Sequence, residues 1–535
     1  MQRVILCVLL ATAVVLASCS PASTPVPPTA APQPAATTAP KPTTPPAAAT
    51  VPKPTAPPAA APVKVVIAIG SDPSTLDPQF PDDGNMRTVN DNVYEVLLGR
   101  NPKTMALVPI LAESYSQKDA TTWEFKIRKG VKFHNGEEFN ADAAAFSVKR
   151  IVDPNFKSEL LSFVSTIKDA TAVDPTTLQI VTTGPDPILP ARLTWLAMVP
   201  PKYSTDKDFT NKPVGTGPFK FVEWVKGSRV TLQANPDYWG AKPVVQSVVI
   251  RTIPESATRV AALRAGEVDL IRDLPPESAA QAPKVAAAPG LEFAWIRINT
   301  NKGKLTDAKV RQALNYAVDK EALAKSLYGG YAVIDQGQLL TPGHFGYDSN
   351  VKAYPYDLAK AKALLKEAGA EGLALDLVGE SGRWLKDKEL VEAVAGYLQA
   401  AGLKPKVKIA EWSAWLDLLF AGPDKAPDLL YSSHDNSLLD ADRTLTALFH
   451  SKTETAGGQS AYKNAEVDKL IDDARTETDV AKRTAMYNKV VQTVRDDAVC
   501  IYLLNLQNIY GLSKRLDWTP RLDGRIFINE MNATP

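Results

Sequence analysis

Cysteine is nearly missing from this 535-residue chain, which has three: Cys7, Cys19 and Cys500, with no CxxC spacing among them. A disulfide framework and a thiolate metal site are thereby excluded. Histidine is scarce too, and its four copies, His134, His344, His434 and His450, form no HExxH pair. Neither a P-loop nor GxGxxG occurs, and Gly379-Glu380-Ser381-Gly382 fails as a nucleophile elbow because its second glycine comes one place early. These absences predict no catalytic set, no resident metal and no cofactor. The formal net charge of +1 removes any electrostatic argument for nucleic acid as a partner. The apolar run from Val4 to Ala17 falls short of the ~20 residues a membrane span needs.

What is present begins with a secretory pattern. Arg3, the run Val4 to Ala17 and then Ser18-Cys19 supply the charged, apolar and small-residue regions of a signal peptide, residues 1–18. Leu16-Ala17-Ser18-Cys19 resembles a bacterial lipobox, which implies that Cys19 carries lipid and becomes the first residue of the mature chain. From Ser20 to Pro62 the composition collapses to Pro, Ala and Thr, with Lys41 and Lys53 the only charges and no aromatic residue. Such a segment cannot bury enough surface to fold. Its prolines favour extended polyproline II, so residues 19–62 read as a tether able to reach roughly 130 Å if fully stretched.

From Val63 onward, 45% apolar and 22% charged residues across the whole sequence leave ample material for several α/β cores. Val63 to Ile69, Trp123 to Arg128 and Thr177 to Thr182 alternate as strands, and Asn92 to Gly99 reads as a helix end with a glycine stop. Pro213 to Pro243 reads as a meander. Phe219, Phe221, Glu223 and Val225 alternate with Lys220, Val222 and Trp224, and Lys226-Gly227-Ser228-Arg229 makes the reversal. Gly215 and Gly217 precede it as residues free to take positive φ. Further on, helices begin at Asp307, Asp357, Asp387, Glu466 and Asp479, and Cys500 lies in an apolar strand as a packed thiol.

The order Gly215-Thr216-Gly217-Pro218-Phe219, then a hairpin, then Ala234 to Gly240, resembles the family 5 extracytoplasmic solute-binding proteins of ABC importers, the peptide, oligopeptide and nickel binders. Arg128 to Arg150, Ala265 to Ile271 and Asp307 to Leu323 resemble it as well. The resemblance implies an α/β, two-lobed, type II periplasmic-binding-protein-like fold with an additional inserted α/β domain. It also implies His134 as a structural residue of that insert. On this reading the first lobe comprises 63–105, 210–290 and 502–535, the insert 106–209 and the second lobe 291–501.

Two stretches of the second lobe carry the candidate ligand contacts. In Gly379-Glu380-Ser381-Gly382-Arg383-Trp384, read as a loop after a strand, the Arg383 guanidinium can pair with a ligand carboxylate while Trp384 stacks on it. The other reading is a solvated arginine supported by Glu380 or Asp387. In the second stretch a strand ends in His434, Asp435 and Asn436 ahead of Asp440-Ala441-Asp442-Arg443, which resembles the family's pattern with Ala441 in place of proline. The resemblance implies that Asp435 pairs with a ligand amine, with Trp412 as a further part of the wall. The expected function is a monomeric, lipid-anchored, extracytoplasmic protein that captures a small peptide or peptide-like solute and delivers it to an ABC permease. A nickel chelate, an opine or a glycan fragment is the alternative cargo, and a secreted cell-surface hydrolase the alternative class.

Overall fold

Strand Lys284–Ile298 pairs antiparallel with strand Cys500–Leu512, and this ladder runs through both lobes. Its register runs from Lys284 opposite Leu512 to Pro289 opposite Gln507, slips, resumes with Phe293 opposite Asn505, and shifts again between Ala294 and Trp295 before Arg297 stands opposite Cys500. Gly290 lies in the slip because a Cβ there would come within 2.7 Å of the Leu506 carbonyl oxygen. Buried Asn505 fills the gap in the ladder, its Nδ2 donating to the carbonyls of Gly290 at 2.9 Å and Glu292 at 3.0 Å.

A computed structural model describes residues 62–80, 84–422, 424–454 and 460–534; the expected signal peptide, Cys19 and all but the end of the tether lie outside the described residues. Around the two hinge strands an eleven-stranded sheet is assembled. On the first-lobe side come Leu270–Ile271, Lys64–Ile69, Ser247–Thr252, Arg229–Ala234 and Phe219–Val225 in that order. Lys64–Ile69 is parallel to Ser247–Thr252 and to Leu270–Ile271, with helix Ser256–Arg264 making the crossover between the latter two. On the second-lobe side come Leu429–Asp435, Ala374–Glu380 and Lys404–Ala410. The last two are parallel and joined by helix Asp387–Ala400, which buries Leu390, Val391, Val394 and Leu398. Exposed Lys404, Lys406 and Lys408 blunt that outer edge against pairing with another chain. Cys500 packs in the second-lobe core beside Trp295, Tyr487 and Tyr502.

Between Ala112 and Thr182 the chain forms a separate four-stranded antiparallel sheet, Ala112–Gln117, Thr122–Ile127, Thr177–Thr182 and Ile167–Asp174. Helix Ala141–Val152 covers it, with the Asn140 side chain accepting from the Ala143 N–H at its start and Ala144, Val148 and Ile151 turned into the core. His134 joins this unit to the first lobe. Its Nε2 donates to the Gly217 carbonyl at 2.9 Å while Nδ1 accepts from the Gly215 N–H at 3.4 Å, and burial pushes the ring down to about 4, so it stays neutral.

Three local expectations are corrected. Gly215 and Gly217 are not among the positive-φ residues; they are glycine because a Cβ would stand 2.1 Å and 2.7 Å from the Val93 carbonyl oxygen. The alternation of the meander breaks at a bulge between Phe221 and Glu223, which returns Trp224 to the core side with Phe219 and Phe221 and leaves Val222 exposed. Helix Gly84–Val93 ends before Tyr94, and Gly99 lies in strand Leu98–Arg100, where a Cβ would meet the Ile110 side chain at 2.9 Å. Between these elements the buried Glu95 carboxylate accepts from Thr216 Oγ1 at 2.8 Å, Tyr238 Oη at 2.7 Å and Trp239 Nε1 at 2.8 Å. This one acceptor ties the two ends of the Pro213 to Pro243 stretch to the segment after the first helix.

Replacing Asn505 with leucine strips two hinge carbonyls of their donor, so urea denaturation should record a loss of about 1–3 kcal/mol. An unchanged midpoint and slope would show that the slip is satisfied without the amide.

Candidate ligand-binding cleft

The parallel strands Ala374–Glu380 and Leu429–Asp435 are neighbours, with Val378 opposite Leu430 so that the second runs past the end of the first, and the crevice outside their carboxyl ends is where an open α/β sheet presents ligand groups. Gly379 and Glu380 belong to the first strand rather than to the loop, and Gly379 lets Val391 approach a position 2.8 Å from where a Cβ would be. The loop that follows is wound on a single acceptor. Asp387 Oδ2 accepts from the backbone N–H groups of Gly382 at 2.9 Å, Arg383 at 3.0 Å and Trp384 at 3.0 Å. Glu380 Oε2 also accepts from the Arg383 N–H at 3.2 Å. These carboxylates therefore hold the backbone of Arg383, leaving its exposed guanidinium 5.2 Å from the Trp412 ring centroid. Among the described residues no carboxylate lies within ion-pair distance of that guanidinium.

Aromatic rings build the wall beside it. Trp412 stacks on Trp415 with centroids 5.0 Å apart and planes 11° apart, and Trp384 meets them edge-on at 5.7 Å and 5.1 Å. Helix Trp412–Leu419 is fixed from both sides. Trp415 Nε1 donates to the Tyr431 carbonyl at 3.0 Å, and buried Arg297, from the first hinge strand, donates to the terminal carbonyls of Leu419 at 2.8 Å and Leu418 at 3.2 Å. Arg297 thus couples the hinge to the tryptophan wall.

Asp435 faces the same cavity, of about 480 Å³, as Arg383, Trp384 and Trp412. His434 and Asn436 do not. Strand alternation turns both away from it. His434 Nε2 lies 3.0 Å from Thr444 Oγ1, and Asn436 Nδ2 donates to the Asp440 carbonyl and to Thr444 Oγ1, both at 2.8 Å. Burial pushes His434 down to about 3, so it carries no charge to offer a ligand. Asp440 is likewise consumed internally, by a bidentate pair with Arg483 at 2.7 Å and 2.8 Å.

Sequence reasoning missed Glu292. It stands directly opposite Asp435 in the ladder between Lys284–Ile298 and Leu429–Asp435, lines the same cavity, and accepts from Ser433 Oγ at 2.8 Å. Like charges directly opposite across strands disfavour the pair. Burial pushes the Glu292 carboxyl up, the charge of Asp435 adds to this, and Ser433 and Arg383 pull the other way. A lone acid in the otherwise apolar strand Leu291-Glu292-Phe293-Ala294-Trp295-Ile296 was the signal available in the sequence. The first lobe and insert meet this wall where Trp195 Nε1 donates to the Ser437 carbonyl at 3.2 Å and Arg100 donates to the Leu438 carbonyl. Among the described residues there is no group of three or more His, Cys, Asp or Glu placed to hold a metal ion.

Two α/β lobes on a shared ladder, an inserted α/β unit and a polar, aromatic-walled crevice on the second lobe define a solute-binding protein of the type II periplasmic class. Residues 106–456 match the family described as bacterial extracellular solute-binding proteins, family 5 Middle, and the chain belongs to that family. It is 30% identical over 466 residues to the glutathione-binding protein GsiB of Pectobacterium atrosepticum, covering 84% of this chain and 90% of that one. Among solved structures, HbpA2 from Haemophilus parasuis superposes with a TM-score of 0.81 at 24% identity, over 88% of this chain and 100% of that one. DppA from Helicobacter pylori, in complex with the peptide STSA, gives 0.68 at 28% identity, over 88% and 98%. The chain is accordingly the extracytoplasmic substrate-binding component of an ABC importer, a transport component and not an enzyme.

The raised Glu292 carboxyl has a pH signature. A carboxyl whose folded pKa lies above its unfolded value of about 4.3 makes the fold less stable as pH rises through that interval. Glu292→Gln should therefore raise the melting temperature at neutral pH, with the gain fading as pH falls towards 4. A gain that persists at acid pH would assign it to packing instead.

Proposed function

We propose that this protein captures a small peptide or peptide-like solute between its lobes, from a position outside the membrane to which lipid on Cys19 anchors it, and hands it to its permease. The observation that carries this is the unpaired, mixed charge of the second-lobe wall. Arg383, Glu292 and Asp435 face one cavity, and no ion pair joins the guanidinium to either carboxylate. A zwitterionic ligand supplies the missing partners, its carboxylate forking to Arg383 and its ammonium lying between Asp435 and Glu292. Trp384 and Trp412 then cover the intervening atoms with little sequence demand, because any peptide backbone presents an apolar edge to an indole face. The names of two relatives point the same way, one to glutathione and one to the peptide STSA.

Delivery follows from the hinge. Contacts from both lobes exist together only in the shut state, so a bound solute shifts the population towards the shape that the permease recognises. The tether composition from Ser20 to Pro62 suits a body held off the membrane by its lipid.

Calorimetric titration of tripeptides tests the pocket. Arg383→Ala and Asp435→Asn should each weaken binding by about tenfold or more, the scale of one lost charge-assisted contact. Unchanged affinity in both variants would remove the assignment. For the anchor, Cys19→Ser should move the protein from the membrane fraction to the soluble one, and retention on membranes would reject lipidation.

A further inference from the structure

Helix Gly84–Val93 places Arg87, Asn90 and Asp91 on one side at spacings of three and four residues, and all three line a chamber of about 40 Å³ together with Trp195 and Arg525. On the scale where 10–15 Å³ holds one water, this is room for roughly three, or for one carboxylate group. Asn90 is 4% exposed, and among the described residues neither its Nδ2 nor its Oδ1 has a hydrogen-bond partner. A buried amide with both ends unsatisfied is rare in native proteins and marks a place completed by something else. The indole of Trp195 is flanked by guanidinia, with the Arg87 carbon 3.6 Å and the Arg525 carbon 5.1 Å from its ring centroid. Arg525 also donates to the Thr194 carbonyl at 3.1 Å and lies 3.6 Å from Asp91.

We propose that this chamber is an anion subsite of the first lobe, in which Arg87, Asn90 and Arg525 take a second carboxylate of the cargo, one carried close to its ammonium group. The inference rests on the peptide reading above and narrows it to acidic solutes. Both guanidinia and the Asp91 carboxylate are among the described residues that line the chamber, and the Asn90 amide supplies a neutral donor beside them. Burial and the charge of Arg525 push Arg87 down to about 9, with Arg272 acting the same way and Asp91 and Asp435 opposing, so an added anion relieves the site. The chamber is also within reach of the bound amine. It shares Asp91, Thr194, Trp195 and Arg525 with an adjoining cavity of about 160 Å³ whose wall includes Ser437. Ser437 Oγ donates to Asp435 at 2.9 Å, and the Ser437 carbonyl accepts from Trp195. Ser437 and Trp195 thus bridge Asp435 to the chamber, and the Asp435 charge acts on Arg87, so a solute whose ammonium sits at Asp435 turns a carboxylate carried on the same residue towards the chamber. An amino-terminal glutamate linked through either of its carboxyls has that chemistry.

Two matched pairs test the subsite by calorimetry on the full chain: Glu-Ala-Ala against Gln-Ala-Ala, and γ-Glu-Cys-Gly against 4-aminobutanoyl-Cys-Gly. At least one pair should favour the acid by about tenfold, the scale of one charge-assisted contact. Asn90→Asp and Arg525→Met should bring that ratio to within about twofold. Arg525→Lys, which keeps the charge but loses the fork, should fall between. A merely structural role would weaken both members of a pair alike and leave the ratio standing, which would overturn the assignment. So would equal binding of acid and neutral partner by the unaltered protein, and in that case the peptide reading survives. Failure of all four peptides to bind would remove both.

Discussion

The ladder between Lys284–Ile298 and Cys500–Leu512 is the constraint on which everything else hangs. A β-ladder resists stretching but twists and bends, and here its register is interrupted at Gly290 and again between Ala294 and Trp295. Asn505 satisfies the carbonyls of Gly290 and Glu292 at the first slip, so the interruption there leaves neither of them unpaired. The same strand then carries Glu292 into the cleft and Arg297 to the end of the helix bearing Trp412 and Trp415. The shared ladder and the wall of the candidate cleft are thus built on one strand.

The cleft is organised by charges that the protein declines to pair internally. Some buried ions are closed off internally, as in the Arg483–Asp440 fork or the Asp387 carboxylate held by three backbone N–H groups. At the crevice the opposite holds: among the described residues no carboxylate forms an ion pair with Arg383, and Glu292 and Asp435 are set against each other. Unpaired ions destabilise the empty protein and make binding of a complementary solute correspondingly favourable. Under the proposed function, the rings around them would exclude water and so strengthen each contact with the solute.

Much of the fold could be read from the chain. Helix starts at Asp307, Asp357 and Asp479 announce themselves, since an aspartate before an apolar stripe caps the first turn through its own carboxylate. The loop presenting Arg383 was legible because it follows a strand and precedes a helix, where αβ folds expose ligand groups. Parity was harder. Whether Asp435 or its neighbours His434 and Asn436 face the cleft depends on a one-residue phase that polar side chains alone do not reveal. The bulge after Phe221 likewise inverts the expected faces of the meander, and Gly215 and Gly217 were misattributed because a close approach by the Val93 carbonyl leaves no mark in local sequence.

By itself the sequence determined the classes of element, their order and the family they build, because periodicity, caps and short motifs are local and survive translation into any frame. Only the tertiary structure decided that Glu292 stands opposite Asp435, that Asp387 grips the backbone of Arg383 rather than its side chain, and that Asn90 is left without a partner among the described residues. Those facts depend on register and on packing between residues far apart along the chain, and neither has a signature within a window of neighbouring amino acids.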